Sequence, residues 1–321
     1  RWALLKLLTG ALRVGVSARL AKTALAELRP CPIEEIEGLW HGLAPPYLEL
    51  FGWLEGRGER PEVTGAALFR PMMLAHPLEP GELDRLDFSE LAAEWKWDGI
   101  RVQVAATGSQ VRLYSRTGDD IGAGFPELLA GFSGLEAVLD GELLILRDGL
   151  VAPFNDLQQR LNRKAVTRRQ QQQYPAHVRL YDALLIGGED LRASPFAERR
   201  RRLEAWFAAT RPERADVSPL IGFRNRDDLA GIWSSTRGAG IEGLMLKRLD
   251  SPYLAGRPKG HWFKWKRAAL TADCVLMYAQ RGSGKRSFGT RGYGCQPSRC
   301  FTGWCTSPTA RRTRCTDRSS S

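Results

Sequence analysis

The run Glu94-Trp95-Lys96-Trp97-Asp98-Gly99-Ile100-Arg101 gathers an amine, carboxylates, a glycine and a guanidinium in one short stretch. A lysine that is buried or flanked by cations loses its proton more readily and becomes a nucleophile toward phosphorus. Gly99 allows a tight backbone turn near a phosphate, and Arg101 offers a fork of donors that matches phosphate oxygens. By itself K-x-D-G is a short pattern with a wildcard, and it carries little weight.

The blocks that follow add the missing parts. They are Ser115-Arg116, Asp140-Gly141-Glu142, Tyr181-Asp182, Glu242-Gly243-Leu244-Met245-Leu246-Lys247 and Trp262-Phe263-Lys264-Trp265-Lys266. Phosphoryl transfer is mostly positioning and charge neutralisation. It needs clustered cations, carboxylates able to hold Mg²⁺, and an aromatic slot for a base. Taken singly, each block also has a plain reading. Glu242 and Lys247 fit a solvated strand-edge pair, Trp262 and Trp265 fit core aromatics, and Asp140-Gly141 fits a hairpin turn.

In this order and spacing the blocks resemble the covalent nucleotidyltransferase superfamily: DNA ligases, RNA ligases and mRNA capping enzymes. The resemblance covers about residues 68–268. It implies that Lys96 is the lysine that becomes adenylated and that Glu94 reads the adenine amino group. Arg101 and Arg116 would contact ribose and phosphate, and Tyr181 would stack on the purine. Glu142 would bind ribose or metal, with Glu242 as the second metal-associated carboxylate. Lys247, Lys264 and Lys266 would neutralise the α-phosphate. The implied cofactors are ATP, with AMP as a covalent adduct on lysine, and Mg²⁺.

Two stretches favour DNA ligase within the superfamily. Leu4 to Ser17 is similar to a segment of the helical DNA-binding domain of larger ATP-dependent DNA ligases, with Arg13 and Lys22 as expected DNA contacts. Phe69-Arg70-Pro71-Met72-Met73-Leu74-Ala75 resembles the entry to the adenylation domain. The phrase from Ala93 to Arg101, with Pro153-Phe154 and Leu157-Gln158-Gln159-Arg160, looks most like bacterial ATP-dependent ligases, and Arg160 is a further candidate phosphate contact. The expected partner is nicked double-stranded DNA, read through shape and phosphate rather than base sequence. A cytoplasmic monomer without membrane contact is expected. An RNA ligase, a guanylyltransferase or a catalytically impaired DNA-binding remnant remain open.

Positioning these residues requires several elements. Leu4, Leu7, Leu8, Ala11 and Leu12 recur at helical spacing; Ser17 suits a cap for Ala18 to Leu28, and a third run follows Pro32. From about residue 68 short β-like runs alternate with turns: Arg101–Ala105, Val111–Tyr114, Ala137–Leu139, Leu143–Leu146, Val178–Tyr181 and Gly243–Leu246. Glu198 to Ala208 reads as a charged amphipathic helix. The expected fold is multi-domain. Residues 1–62 form a partial all-α DNA-binding segment. Residues 68–268 form an α+β adenylation domain with an ATP-grasp-like antiparallel sheet. Residues 269–288 open an incomplete β-barrel OB domain, and 289–321 are an atypical tail.

Composition bounds these readings. The chain has 321 residues, 43% hydrophobic and 26% charged, with a net charge of +11. A basic balance suits an anionic partner, but equally a basic protein with none. No stretch approaches the roughly 18 apolar residues that span a bilayer. Of six cysteines, Cys295, Cys300, Cys305 and Cys315 cluster at C-x4-C-x4-C-x9-C, which lacks the paired C-x2-C of zinc sites. The chain opens on Arg1 rather than Met, as a fragment or trimmed gene model would. Residues 289–321 carry six basic residues, one acidic residue and almost no aliphatic side chains, so no packed core is expected there and an out-of-frame origin is the working explanation. Weak or absent self-adenylation of this chain follows as an expectation.

Overall fold

The structure is a computed structural model that describes residues 18–297, apart from 44, 64–66, 80, 162, 164, 236–239, 267–273 and 282–289. Its first helices are α1 (Ala18–Leu28), α2 (Ile33–Trp40) and α3 (Leu48–Leu54). The first two fall where the apolar spacing predicts them. The third, behind Pro45-Pro46, carries no such signal. Ala26, Ile36, Leu39, Leu50, Trp53 and Leu54 close a small core between them. The expected run from Leu4 to Leu12, with Arg13, lies outside the described residues. Lys22 requires a correction. It is only 6% exposed and its ammonium lies 5.7 Å from the centroid of the Trp40 ring. Burial, ahead of the attraction of Glu37 and Asp119, lowers its pKa. It is a packing residue, unable to reach a DNA phosphate from there.

The remaining strands are β1 (His76–Pro77), β2 (Leu91–Trp97), β3 (Ile100–Thr107), β4 (Gln110–Ser115), β5 (Glu136–Arg147), β6 (Leu150–Val151), β7 (Ala176–Ile186), β8 (Glu189–Asp190), β9 (Ala215–Val217), β10 (Leu220–Ile221), β11 (Ile241–Arg248) and β12 (Trp262–Lys266). Between them run α4 (Pro126–Gly131), α5 (Phe154–Gln158), α6 (Arg168–Gln173), α7 (Phe196–Thr210) and α8 (Arg226–Ser235). One sheet has the order β1-β12-β11-β2-β10. The other has β4-β3-β5-β7-β8, with β6 beside β5 and β9 beside β7. Most pairs are antiparallel; β1–β12 and β7–β9 are parallel.

Three apolar layers hold the sheets. Val102, Val104, Leu139, Leu143, Val178 and Leu180 pack under Phe125, Phe132 and Leu203 on one side of the second sheet. Its other side meets the first sheet through Ala105, Val138 and Leu184 against Ala92, Met245 and Trp262. The far side of the first sheet, with Ala93, Leu244, Leu246 and Phe263, packs on Leu229 and Trp233 of α8. The segment before β2 is strapped across β3 and β4: Gln103 Nε2 donates to the Arg70 carbonyl at 3.0 Å, and Tyr114 Oη donates to the Ala67 carbonyl at 2.8 Å.

Two elements differ from the sequence reading. Asp140-Gly141 is not a hairpin turn, because β5 runs unbroken through it. Residues 290–297 pair as β14 (Thr290–Pro297) with β13 (Cys274–Arg281), antiparallel, in a unit separate from 18–267. A sheet ladder is made of main-chain hydrogen bonds, so a scarcity of aliphatic side chains does not forbid it. Among the described residues no helix is long and apolar enough to cross a membrane.

Buried charge makes the unit sensitive to single changes. Arg199 and Asp182 are both 0% exposed and joined at 2.8 Å, and Arg199 also donates to the Ser194 and Ser251 carbonyls. Arg199→Met strands a buried carboxylate and lowers stability by about 3–5 kcal/mol in urea unfolding. Burial raises the pKa of Asp216, but His177, 3.2 Å away, and the hydrogen bonds from Arg179 outweigh it and hold it down to about 2. A carboxyl depressed by folding stabilises above its unfolded pKa, and that contribution is lost as pH falls through the folded value. Melting temperature therefore drops between about pH 4 and pH 2, and less steeply in Asp216→Asn.

Candidate active site

Alternation along three paired strands builds one wall of a cleft. Lys96, Gly243 and Lys266 are in register across β2, β11 and β12. Glu94, Met245 and Lys264 form the next row, and Ala92, Lys247 and Trp262 the third. Rows two residues apart are about 6.6 Å apart along the strand. The intervening residues face the opposite core, where Trp95 and Trp265 pack. The cleft, of about 400 Å³, is closed on its other side by Ile100, Arg101, Glu142 and Tyr181 of the second sheet.

One end of the cleft is cationic. Lys96 Nζ donates to Glu242 Oε2 at 2.5 Å, and Lys266 Nζ reaches the same oxygen at 3.1 Å. Burial raises the Glu242 pKa, but these two lysines hold it down to about 2. Asp98 shares a hydrogen bond with Glu242; burial, then that contact, raises its pKa. Glu142 is pushed up to about 8 by burial, against the pull of Lys96 and Arg101. Lys264 lies close enough to Arg257, Lys266, Lys96 and Arg116 that burial and their repulsion lower its pKa. A polyanion at this point would relieve that repulsion. Arg257 is brought here by main-chain contacts: Gly256 bridges Met73, and Leu74 N donates to the Gly256 carbonyl at 2.6 Å.

Two glycines make the cationic end possible. A Cβ on Gly243 would sit 2.2 Å from the Trp265 carbonyl oxygen. A Cβ on Gly99 would sit 2.5 Å from the Leu143 carbonyl oxygen and 2.8 Å from Glu142 Cγ. The β2–β3 turn can therefore lie directly on β5.

The other end is aromatic and encloses one carboxylate. Glu94 is 2% exposed. Its Oε1 accepts from Arg200 Nη1 at 2.8 Å and its Oε2 lies 2.5 Å from Lys247 Nζ. Lys247 is 1% exposed, with the Tyr181, Phe196 and Trp262 ring centroids 4.6–4.8 Å from its ammonium. Tyr181 owes its position to a bulge: β5 pairs Asp140 with Asp182 and Gly141 with Leu180, which leaves Tyr181 extra on β7.

The structure brings Glu94, Lys96, Arg101, Arg116, Glu142, Tyr181, Lys247, Lys264 and Lys266 to the same cleft. Three expectations change in detail. The Lys247 ammonium meets Glu94, two rows from Lys96, so it does not join the phosphate-facing lysines. Arg101 is spent on the cleft wall, donating to the Met73 carbonyl at 2.5 Å, Asp140 at 2.6 Å and Tyr253 Oη at 3.1 Å. Arg160 is no phosphate contact; it is 0% exposed and donates to both oxygens of Glu127 and to the Gly124 and Tyr174 carbonyls. Sequence reading missed Asp98, Arg200 and Arg257 as site residues. Asp98 lay inside the leading motif and was readable; Arg200 sits in a run of four arginines with no distinguishing spacing, and Arg257 stands alone in a Gly/Pro loop.

The family model of the ATP dependent DNA ligase domain matches residues 72–266, which contain every residue of this cleft. The chain belongs to the ATP-dependent DNA ligase family. A probable DNA ligase of Anaeromyxobacter dehalogenans is 34% identical, over 89% of this chain and 56% of that protein. One of Koribacter versatilis is 30% identical, over 88% of this chain and 53% of that protein. The chain thus spans about half the length of these relatives. A mycobacterial DNA ligase D solved with ATP and MES is 28% identical, with a TM-score of 0.51, covering 70% of this chain and 67% of that one. A Lig E DNA ligase shares the fold, with a TM-score of 0.53 at 20% identity, over 72% of this chain and 81% of that one.

Among the described residues of this ligase-family chain, no three His, Cys, Asp or Glu side chains gather as a metal cage. Mg²⁺ does not need one. It keeps several waters and takes one or two carboxylates plus phosphate oxygens, and Glu142 with Glu242 beside Lys96 fits that demand. The Gly99 contact is directly testable. Gly99→Ala should cost about 1–3 kcal/mol of stability through overpacking, while Gly222→Ala, with nothing within 4 Å of the new carbon, stays near neutral. Urea titration of both variants checks this.

Proposed function

We propose that this chain carries the nucleotide-transferring part of an ATP-dependent DNA ligase that seals nicks in duplex DNA through a lysyl-AMP intermediate. The observation that carries the reading is the placement of Lys96 Nζ, 2.5 Å from Glu242 and in one row with Lys266, at the cationic end of a cleft whose other end is aromatic. An extended nucleotide triphosphate matches that polarity, with its base among Glu94, Tyr181 and Trp262 and its α-phosphate against Lys96, Lys264 and Lys266.

In the first step Lys96, oriented by Glu242, loses a proton to water, and its freed electron pair attacks the α-phosphorus. A P–N bond forms and the α–β P–O bond breaks. Pyrophosphate carries away that electron pair, and the second amine proton leaves to water. Lys264, Lys266, Arg257 and Arg116 stabilise charge that builds on the phosphate oxygens. Glu142 and Glu242 would hold Mg²⁺, which when bound neutralises phosphate charge. In the second step the 5′-phosphate of a nick attacks the AMP phosphorus; the P–N bond breaks, and Lys96 leaves with its electron pair, taking up a proton from water. In the third the 3′-hydroxyl, losing its proton to solvent, attacks the activated 5′-phosphorus and expels AMP.

The helices of residues 18–54 and the segment before them would belong to a DNA-binding part, with Arg13 as a contact. β13 and β14 would open an OB-type barrel. Repair, recombination and replication are the processes such an enzyme serves, and a monomer suffices for the chemistry.

The test joins this chain to the C-terminal portion of a 34%-identical relative and supplies ATP and Mg²⁺. Intact-mass spectrometry should find one AMP adduct. Lys96→Ala should abolish it and lower nick sealing by at least about 10³-fold. An adduct that persists in Lys96→Ala, or equal charging from GTP, would sink the reading.

A further inference from the structure

Lys247 is an unusual residue to enclose. A lysine at 1% exposure, ringed by aromatics, is tolerated only where its charge has a partner. Its partner is Glu94 Oε2 at 2.5 Å, and its remaining reach is to the Tyr181 carbonyl at 3.5 Å. It therefore ties a carboxylate on β2 to the bulge of β7 across the cleft. Glu94 is gripped from its other side by Arg200, whose guanidinium also donates to the Ser218 carbonyl at 2.6 Å and to Glu204 at 2.6 Å. With one oxygen held by each cation, the carboxylate has a single orientation.

We propose that Lys247 and Arg200 are positioning residues for base selection: they fix Glu94 so that its unused lone pairs meet an exocyclic amino group and repel a carbonyl at the same place. This rests on the nucleotide reading of the cleft. A carboxylate only accepts hydrogen bonds. Facing a 6-amino purine it gains a bond, and facing a 6-oxo purine it meets a second acceptor. That discrimination is sharp only if the carboxylate cannot swing away. A freed Glu94 would follow its one remaining cation and lose the contact. Lys247 also holds the main chain of Tyr181, so both sides of the base slot hang on one ammonium.

The experiment needs binding alone and uses the chain as it stands. AMP and IMP, which differ at that single purine substituent, are titrated by calorimetry into wild type, Lys247→Met, Arg200→Met, Glu94→Gln and Glu94→Gln/Lys247→Met. Wild type should prefer AMP by tenfold or more, and Lys247→Met and Arg200→Met should each lose about tenfold of that preference. If Lys247 works through Glu94, the double variant has the same AMP-to-IMP ratio as Glu94→Gln alone. The double variant also removes both buried charges together, so it provides the answer if Lys247→Met fails to fold. A folded Lys247→Met with the wild-type ratio would overturn the proposal, as would a double variant with a lower ratio than Glu94→Gln. Wild type that binds AMP and IMP equally overturns the base-selection role and leaves the ligase reading standing. Wild type that binds neither overturns both.

Discussion

The register of β2, β11 and β12 is the constraint on which the cleft depends. In a strand every second residue faces the same way, so a slip of one position exchanges the two faces completely. Here that exchange would bury Lys96, Glu94, Lys247, Lys264 and Lys266 against α8 and turn Trp95, Leu244, Leu246, Phe263 and Trp265 into the cleft. The apolar cluster on the far face therefore fixes the chemistry on the near one. Hydrophobic burial, which is non-directional, becomes directional through the pleat.

Charges at the two ends are handled differently. At the cationic end Glu242 holds two lysines on one oxygen beside Asp98, a compact arrangement that an incoming anion can reorganise. At the aromatic end Glu94 is locked by two cations inside a nearly closed shell. Behind both, Arg101 on the cleft wall is tied to Asp140 and Tyr253, and Arg199 to Asp182. Several arginines that look available in sequence are thus structural, and Arg160 is the clearest case.

The sequence made the site's membership legible and its internal arrangement less so. Ordered blocks named the lysines and carboxylates, because chemistry constrains residue type and order. They could not say which lysine meets which carboxylate, since that depends on strand register. The resemblance groups Lys247 with Lys264 and Lys266, yet the ladder sets it one row beyond Lys264 and two beyond Lys266. The strands that carry Lys96, Lys264 and Lys266 do alternate charged and aromatic residues, as a half-buried strand does, but each run is only four residues long and the motif blocks claim the same residues without assigning them an element. Helices α1 and α7 were readable, since their burial repeats at a regular period. The bulge that presents Tyr181 has no marker in residue type at all.

The fixed spacing of the rows has one more consequence. Lys96 and Ala92 stand about 13 Å apart along β2, and the sheet between them cannot stretch. The cleft is in effect a gauge. A molecule that engages both ends must be extended to that length, and one that is too short settles at one end and leaves the other wet. A free base and a free polyphosphate would therefore not exclude each other. They would lie side by side, two half-occupants of a slot measured for one.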